Sequence, residues 1–211
     1  MRGDSYGLLL ALIVVTYMSI SFLDFDRWGR IVLTVLYGLI LLLALHTSHF
    51  RGRLIRVAWV VVVLSVGVAV AHAFVDEHRY PLLALAGVVI LSVTPIVVLI
   101  RILAHDVVGL ETILGAICAY LLIGMVFAAW YLVLNAVDPP FFAQPGRHNG
   151  VDYLYFSFVV QTTLGFGDLT PVSDAAKVTV TMEALIGQIF LVTLVARLVG
   201  AFGTSTKKQA A

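Results

Sequence analysis

The stretch TTLGFGDLTP, from Thr162 to Pro171, opens with two threonines, and two glycines that alternate with bulky apolar residues follow them. Glycine adopts a positive φ without the steric cost that a β-carbon imposes, so alternating glycines allow successive backbone carbonyls to point to one side. A row of carbonyl oxygens can replace the water around a cation. The chemistry that this pattern offers is cation coordination by the backbone.

The composition of the chain indicates whether the protein around this loop lies in water or in lipid. Of the 211 residues, 61% are hydrophobic and only 12% are charged, with a mean hydropathy of +1.05. Soluble domains are roughly one half apolar, so the sequence predicts an integral membrane protein. The net charge of +1 argues against a nucleic-acid partner, because such binders concentrate positive charge to neutralise phosphates.

Six apolar stretches approach the length of about 20 residues that a helix needs to cross a bilayer core. They lie at residues 7–23, 31–45, 57–75, 81–103, 111–137 and 175–202. The expected fold class is an all-α integral membrane protein with six transmembrane helices. The expected units are a four-helix peripheral domain, a linker, a pore domain and a short cytoplasmic tail, over residues 1–103, 104–110, 111–203 and 204–211.

The long connection between the last two stretches predicts a further element. It opens with the helix breakers DPPFFAQPGRHNG and continues with VDYLYFSFVVQTTL, whose apolar run of about twelve residues is too short to span. We expect a re-entrant helix that Asn149 or Asp152 caps at its start. Backbone that leaves a helix at this depth is tolerated only inside protein or beside a water-filled cavity, so residues 164–167 should line a path. The negative end of the helix dipole favours a cation there.

The distribution of Lys and Arg predicts the orientation. With the N-terminus inside, eight of the thirteen basic residues lie on the cytoplasmic side and five outside, as the preference of short cytoplasmic loops for positive charge requires. Both termini are therefore expected in the cytoplasm of a multi-pass plasma-membrane protein. The re-entrant loop would then enter from the external face.

The segment TTLGFGD resembles the selectivity-filter signature TVGYGD of the potassium-channel family. The resemblance implies K⁺ sites formed by Thr163, Leu164, Gly165 and Phe166. In this interpretation Thr163 contributes its hydroxyl and carbonyl at the lowest site, and Gly167, grouped with these ion-binding residues, closes the outer mouth with Asp168.

The resemblance also extends to residues around the filter. Gln161, Thr162, Asp168 and Glu183 are expected to support it, and Gly187 stands where family members often keep a hinge glycine. The chain departs from the common signature in having Leu for Val, Phe for Tyr, and Gln before the two threonines. One loop cannot enclose a pore, so a homotetramer is implied.

Glu183 is the acidic residue that lies deepest in a predicted span. It is about 12 Å from the outer end of its helix at 1.5 Å per residue, where an isolated carboxylate costs several kcal/mol. We predict that it braces the filter from behind, bonded near Gln161 or Thr162. The alternative is a side chain that faces water in the vestibule.

On the same helix, Phe190, Leu194 and Leu198 share one face through their i, i+4, i+8 spacing. Two interpretations fit this spacing equally well. The three side chains form an apolar constriction of the pore, or they make ordinary helix packing contacts.

Other function classes fit the sequence poorly. HExxH and GxSxG motifs are absent, so an enzyme is not expected. A transporter would show broken helices in both halves. Arg101 is the sole basic residue of the fourth stretch, whereas voltage sensors are arginine-rich.

These observations predict a potassium-selective channel that depends weakly or not at all on voltage. Its expected partners are further copies of the chain, membrane lipids and K⁺ as the permeant ion, without a cofactor. The alternative is a poorly selective monovalent cation channel or a non-conducting regulatory subunit.

Overall fold

The computed structural model describes residues 5–22 and 110–209, together with residues 35–40 and scattered positions between 32 and 96. The ranges 5–22 and 110–209 contain four helices. They are α1 (Ser5–Phe22), α2 (Leu110–Val137), α3 (Gly150–Gln161) and α4 (Asp174–Gln209).

The helix bounds can be compared with the predicted stretches at four places. Helices α1 and α2 match the first and fifth stretches to within two residues at each end, and α3 lies in the connection where a re-entrant helix was expected. Helix α4 continues to Gln209, past the expected end at residue 202, and takes in most of the predicted tail. Of the second stretch, residues 32, 35–40 and 42–43 are described, and they are helical. The third and fourth stretches are described only at a few positions, and Arg101 and the linker up to residue 109 lie outside the described residues.

Two of the helices are long and apolar enough to cross a membrane, by length and composition. These segments are Thr112–Val137 in α2 and Asp174–Arg197 in α4, whereas the apolar part of α1, Tyr6–Ser19, is shorter. Helix α3 has 12 residues, about 18 Å at 1.5 Å per residue, so it is too short to span.

An aromatic cluster joins α2 to the first half of α3. Tyr131 of α2, Phe141 and Phe142 of the connection, and Tyr153 and Phe156 of α3 are all buried. Phe141 lies at the centre, with ring centroids 4.9 Å from Tyr131 and 6.0 Å from Phe156. Aromatic pairs at such distances add about 0.5–1.5 kcal/mol each beyond their burial. The cluster therefore holds α3 firmly against α2.

Helix α1 packs against the same unit. Leu9 and Ile13 are fully buried, and the ring of Tyr17 meets Phe158 of α3 edge-on, with centroids 5.5 Å apart. Cys118 of α2 is a buried free thiol 4.0 Å from the carbonyl oxygen of Tyr6. The first helix thus supports α2 and α3 of its own chain.

Candidate functional site

The start of α3 is fixed by a capping box, which is formed by the two residues expected as alternative caps. The Asn149 side chain accepts hydrogen bonds from the N–H groups of Val151, at 2.9 Å, and Asp152, at 3.3 Å. The Asp152 carboxylate accepts one from the Asn149 N–H at 2.9 Å. Both expected residues act together, because each satisfies an N–H that the first turn of a helix leaves unpaired.

The backbone after α3 alternates in conformation along the filter loop, which we define as residues 162–168. Its φ angle is +60° at Thr163, +57° at Gly165 and +77° at Gly167. The positive φ expected of the two glycines is confirmed. Thr163 adopts it despite its β-carbon, at a cost of about 1–2 kcal/mol. Alternation of this kind turns successive peptide planes so that carbonyls can line one side.

The first residues of the filter loop donate hydrogen bonds to the last carbonyls of α3. The Thr163 N–H donates to Val160 at 2.9 Å, and the Leu164 N–H donates to Val159 at 2.9 Å. The Thr162 hydroxyl donates to the Phe158 carbonyl, and the Thr163 hydroxyl donates to the Thr162 carbonyl, both at 2.6 Å. The loop therefore begins at the negative end of the α3 dipole.

The other side of the filter loop is open. Within the described part of the chain, no hydrogen bond reaches a carbonyl oxygen from Thr163 to Phe166. The side chains of Leu164 and Phe166 are 58% and 63% exposed. The loop thus offers unpartnered carbonyl oxygens, together with apolar side chains that one chain does not cover.

Tyr155 of α3 ties down the far end of the filter loop. Its ring stacks on Phe166, with centroids 6.5 Å apart and planes 7° from parallel. Its hydroxyl donates to the Asp168 carboxylate at 2.7 Å. Phe166 lacks the hydroxyl of the tyrosine that stands at this position in the signature TVGYGD. The Tyr155 hydroxyl on α3 provides a bond between helix and loop instead. Sequence reasoning missed Tyr155, although an aromatic donor thirteen residues before Asp168 was visible.

A second contact clamps the chain that follows the loop. Gln144 bonds to Thr170 twice, through the Thr170 hydroxyl at 3.2 Å and the Thr170 N–H at 3.0 Å. The Thr170 carbonyl accepts from the Ala143 N–H at 2.9 Å, beside a bridge between Phe142 and Pro171. No motif in the sequence pointed to this clamp, because its two sides are joined only by the fold.

Glu183 is fully buried behind α3, but its partners differ from those predicted. The carboxyl group accepts hydrogen bonds from the hydroxyls of Tyr131 on α2 and Ser157 on α3. The predicted bond to Gln161 or Thr162 is therefore wrong, and so is the alternative of a side chain facing water. The brace contacts α3 one turn earlier, where the Ser157 hydroxyl also lies 2.7 Å from the Gly124 carbonyl.

The end of α3 is held by Gln161 instead. This side chain is fully buried, and its Nε2 donates to the Tyr120 carbonyl at 2.9 Å. The Tyr120 hydroxyl donates in return to the Gln161 carbonyl at 3.1 Å. A β-carbon on Gly187 would lie only 2.9 Å from Gln161 Cγ. The hinge role of Gly187 stays a prediction, since α4 is helical on both sides of it.

The lower part of α4 favours packing over a constriction at two of the three proposed positions. Phe190 stacks on Tyr120 with centroids 6.1 Å apart, and both Phe190 and Leu194 pack partly buried against the core. The side chain of Leu198 lies outside the described residues. The apolar constriction is therefore not supported by Phe190 and Leu194.

Comparison with known proteins shows which class of protein this chain is similar to. Residues 115–203 match the model of a family described as ion channel, and they cover nearly all of α2, all of α3, the filter loop and most of α4. A protein described as two pore potassium channel b, from Oryza sativa subsp. japonica, is 42% identical over 59 residues. No solved structure matches.

Residues 115–203 are thus similar to ion channels, and the helices of the described residues fit an all-α membrane protein. Both comparisons support a potassium-channel family, which confirms the resemblance of TTLGFGD. The aligned residues make up 28% of this chain and 15% of the rice protein.

Proposed function

We propose that the chain forms a homotetrameric channel that passes K⁺ passively and in preference to Na⁺. The observation that carries this proposal is the alternation of positive φ at Thr163, Gly165 and Gly167. The filter loop follows a short helix whose negative end faces it, and among the described residues no hydrogen bond reaches the carbonyls from Thr163 to Phe166. A row of such carbonyl oxygens replaces the hydration shell of a cation.

Four copies of the loop would be needed to surround an ion, because one strand coordinates it from one side only. The exposed Leu164 and Phe166 side chains support this assembly. Helix α4 supports this assembly as well, since only 11% of its most apolar part is buried within the chain. Neighbouring copies would cover these surfaces, with lipid around the periphery. We propose the plasma membrane as the location, with both termini in the cytoplasm, and no cofactor.

Reversal potentials test the proposed selectivity. The purified protein is reconstituted in planar bilayers with high K⁺ and low Na⁺ on one side and the reverse on the other. We expect currents that reverse close to the K⁺ equilibrium potential. Reversal near zero would favour a poorly selective cation channel, and intact tetramers without passive flux would favour a regulatory subunit.

Weak voltage dependence is the second expected property. Moving one charge across the whole field yields about 2.3 kcal/mol per 100 mV, and steep sensors move three or four charges in each subunit. The fourth stretch offers Arg101 alone, near its expected inner end. A shallow relation between conductance and voltage is expected, unchanged in Arg101→Gln. A steep curve that Arg101→Gln flattens would contradict this.

A further inference from the structure

We infer that Gln161 is a positioning residue that links movement of α4 at Gly187 to the lowest ion site of the filter, at Thr163. The inference rests on the proposed channel function. It goes beyond that function because it assigns the control of conduction to a contact between α4 and the end of α3.

The two helices lie side by side in a matching register. Glu183 meets Ser157, and one turn further along both helices Gly187 meets Gln161. A β-carbon on Gly187 would lie 2.9 Å from Gln161 Cγ and 3.3 Å from the Gln161 carbonyl oxygen. Real β-carbons are essentially never closer than 3.0 Å to such a neighbour. Gln161 therefore occupies the space that a side chain at position 187 would need.

A second glycine completes this notch from the other side. Gly124 of α2 faces the same side chain, and a β-carbon there would collide with Gln161 Oε1 and come within 3.0 Å of the Phe158 ring. Gln161 is therefore enclosed between α2 and α4. Because interiors are close-packed and do not deform continuously, movement of α4 toward α3 at Gly187 must displace Gln161.

Hydrogen bonds hold Gln161 on the side of α2. The reciprocal pair between Gln161 and Tyr120 anchors the end of α3 to α2 at 2.9 Å and 3.1 Å. Phe190 of α4 stacks on the same Tyr120 ring. The residue that α4 pushes is thus held by α2 and is followed two positions later by Thr163, whose backbone is already at positive φ.

The chemistry of Gln161 argues against simple space filling. Its Oε1 is buried without a hydrogen-bond partner in the described part of the chain. An unsatisfied buried acceptor costs about 1–3 kcal/mol, which an apolar side chain of similar volume would avoid. The amide is explained by its Nε2 bond to Tyr120 on the adjacent helix.

A double-mutant cycle tests the link. Single-channel open probability is measured in planar bilayers for the wild type, Gly187→Ala, Gln161→Ala and the double variant. Gly187→Ala should change the ratio of open to closed time at least about fivefold, the lower end of typical coupling between sites. In the double variant the new methyl group enters the space that Cγ has left, so the effect of Gly187→Ala should largely disappear.

The control is Gly7→Ala in α1, where an added β-carbon meets nothing within 4 Å and the gain in helix propensity is similar. It should leave gating unchanged. Thermal stability and tetramer fraction are measured in parallel, so that a loss of folded tetramers is not taken for a change in gating. If the gating effects of Gly187→Ala and Gln161→Ala simply add in the double variant, the inference is overturned, even in a conducting channel. Absence of K⁺ flux from wild-type tetramers would overturn the proposed function and the inference with it.

If Gln161→Ala does not assemble, Tyr120→Phe takes its place in the cycle. This change removes the hydroxyl that donates to the Gln161 carbonyl but leaves the notch filled. Non-additive gating with Gly187→Ala would support the link, and additive gating would overturn it.

Discussion

Gly165→Ala is expected to abolish K⁺ conduction while tetramers still form. Gly165 adopts φ +57°, and in the described part of the chain nothing apart from its two neighbours lies within 4 Å of an added β-carbon. The change therefore acts through the backbone conformation. An L-residue at positive φ costs about 1–2 kcal/mol, and four copies meet in one pore. If all four must keep this conformation together, the total of about 4–8 kcal/mol lowers the conducting population a thousandfold or more, at about 1.4 kcal/mol per tenfold.

Gly146→Ala is the matched control for this substitution. Gly146 also has positive φ, at +130°, and open space around it, but it lies before α3 and outside the filter loop. We expect near-normal unitary current from this variant. Ion flux and tetramer content are measured on the same reconstituted samples. Normal current through Gly165→Ala tetramers would show that the loop does not coordinate the permeant ion.

Glu183→Leu is expected to weaken the assembled protein substantially. The substitution leaves the buried Tyr131 hydroxyl without its acceptor, and a buried unsatisfied group costs about 1–3 kcal/mol per chain. Ser157 keeps the Gly124 carbonyl at 2.7 Å as an alternative acceptor. The measurement is the midpoint of thermal unfolding in detergent, followed together with tetramer content.

Glu183→Gln should be much milder than Glu183→Leu. Its amide oxygen accepts from Tyr131, and its NH₂ group donates to the Ser157 oxygen, which frees the Ser157 hydroxyl for Gly124. Tetramers should survive, with an altered open probability because the brace behind α3 has changed its donors. Asp174→Leu, at an acid on the same helix but exposed to solvent, serves as the control and should leave the unfolding midpoint nearly unchanged. Equal stability of the Leu and Gln variants at 183 would contradict the brace.

Local features of this protein were readable from the sequence. The apolar lengths of α1, α2 and α4, the short α3 with its Asn149 cap and the positive φ of the filter glycines all follow from local chemistry. Residue type determines whether a segment is apolar enough for lipid, whether a cap is present and whether a β-carbon forbids a conformation. Each of these properties depends on a few neighbouring residues.

Only the tertiary structure decided which side chains meet. The depth of Glu183 was predicted, but its partners are Tyr131 and Ser157, because α4 passes α3 one turn away from the expected contact. The Tyr155 bond to Asp168 and the fit of Gln161 against Gly187 depend on the same relative register. Sliding one helix by a turn along another leaves hydropathy and periodicity unchanged, so the sequence pattern cannot choose between registers. Close packing around glycines, and hydroxyls that need a buried acceptor, make that choice.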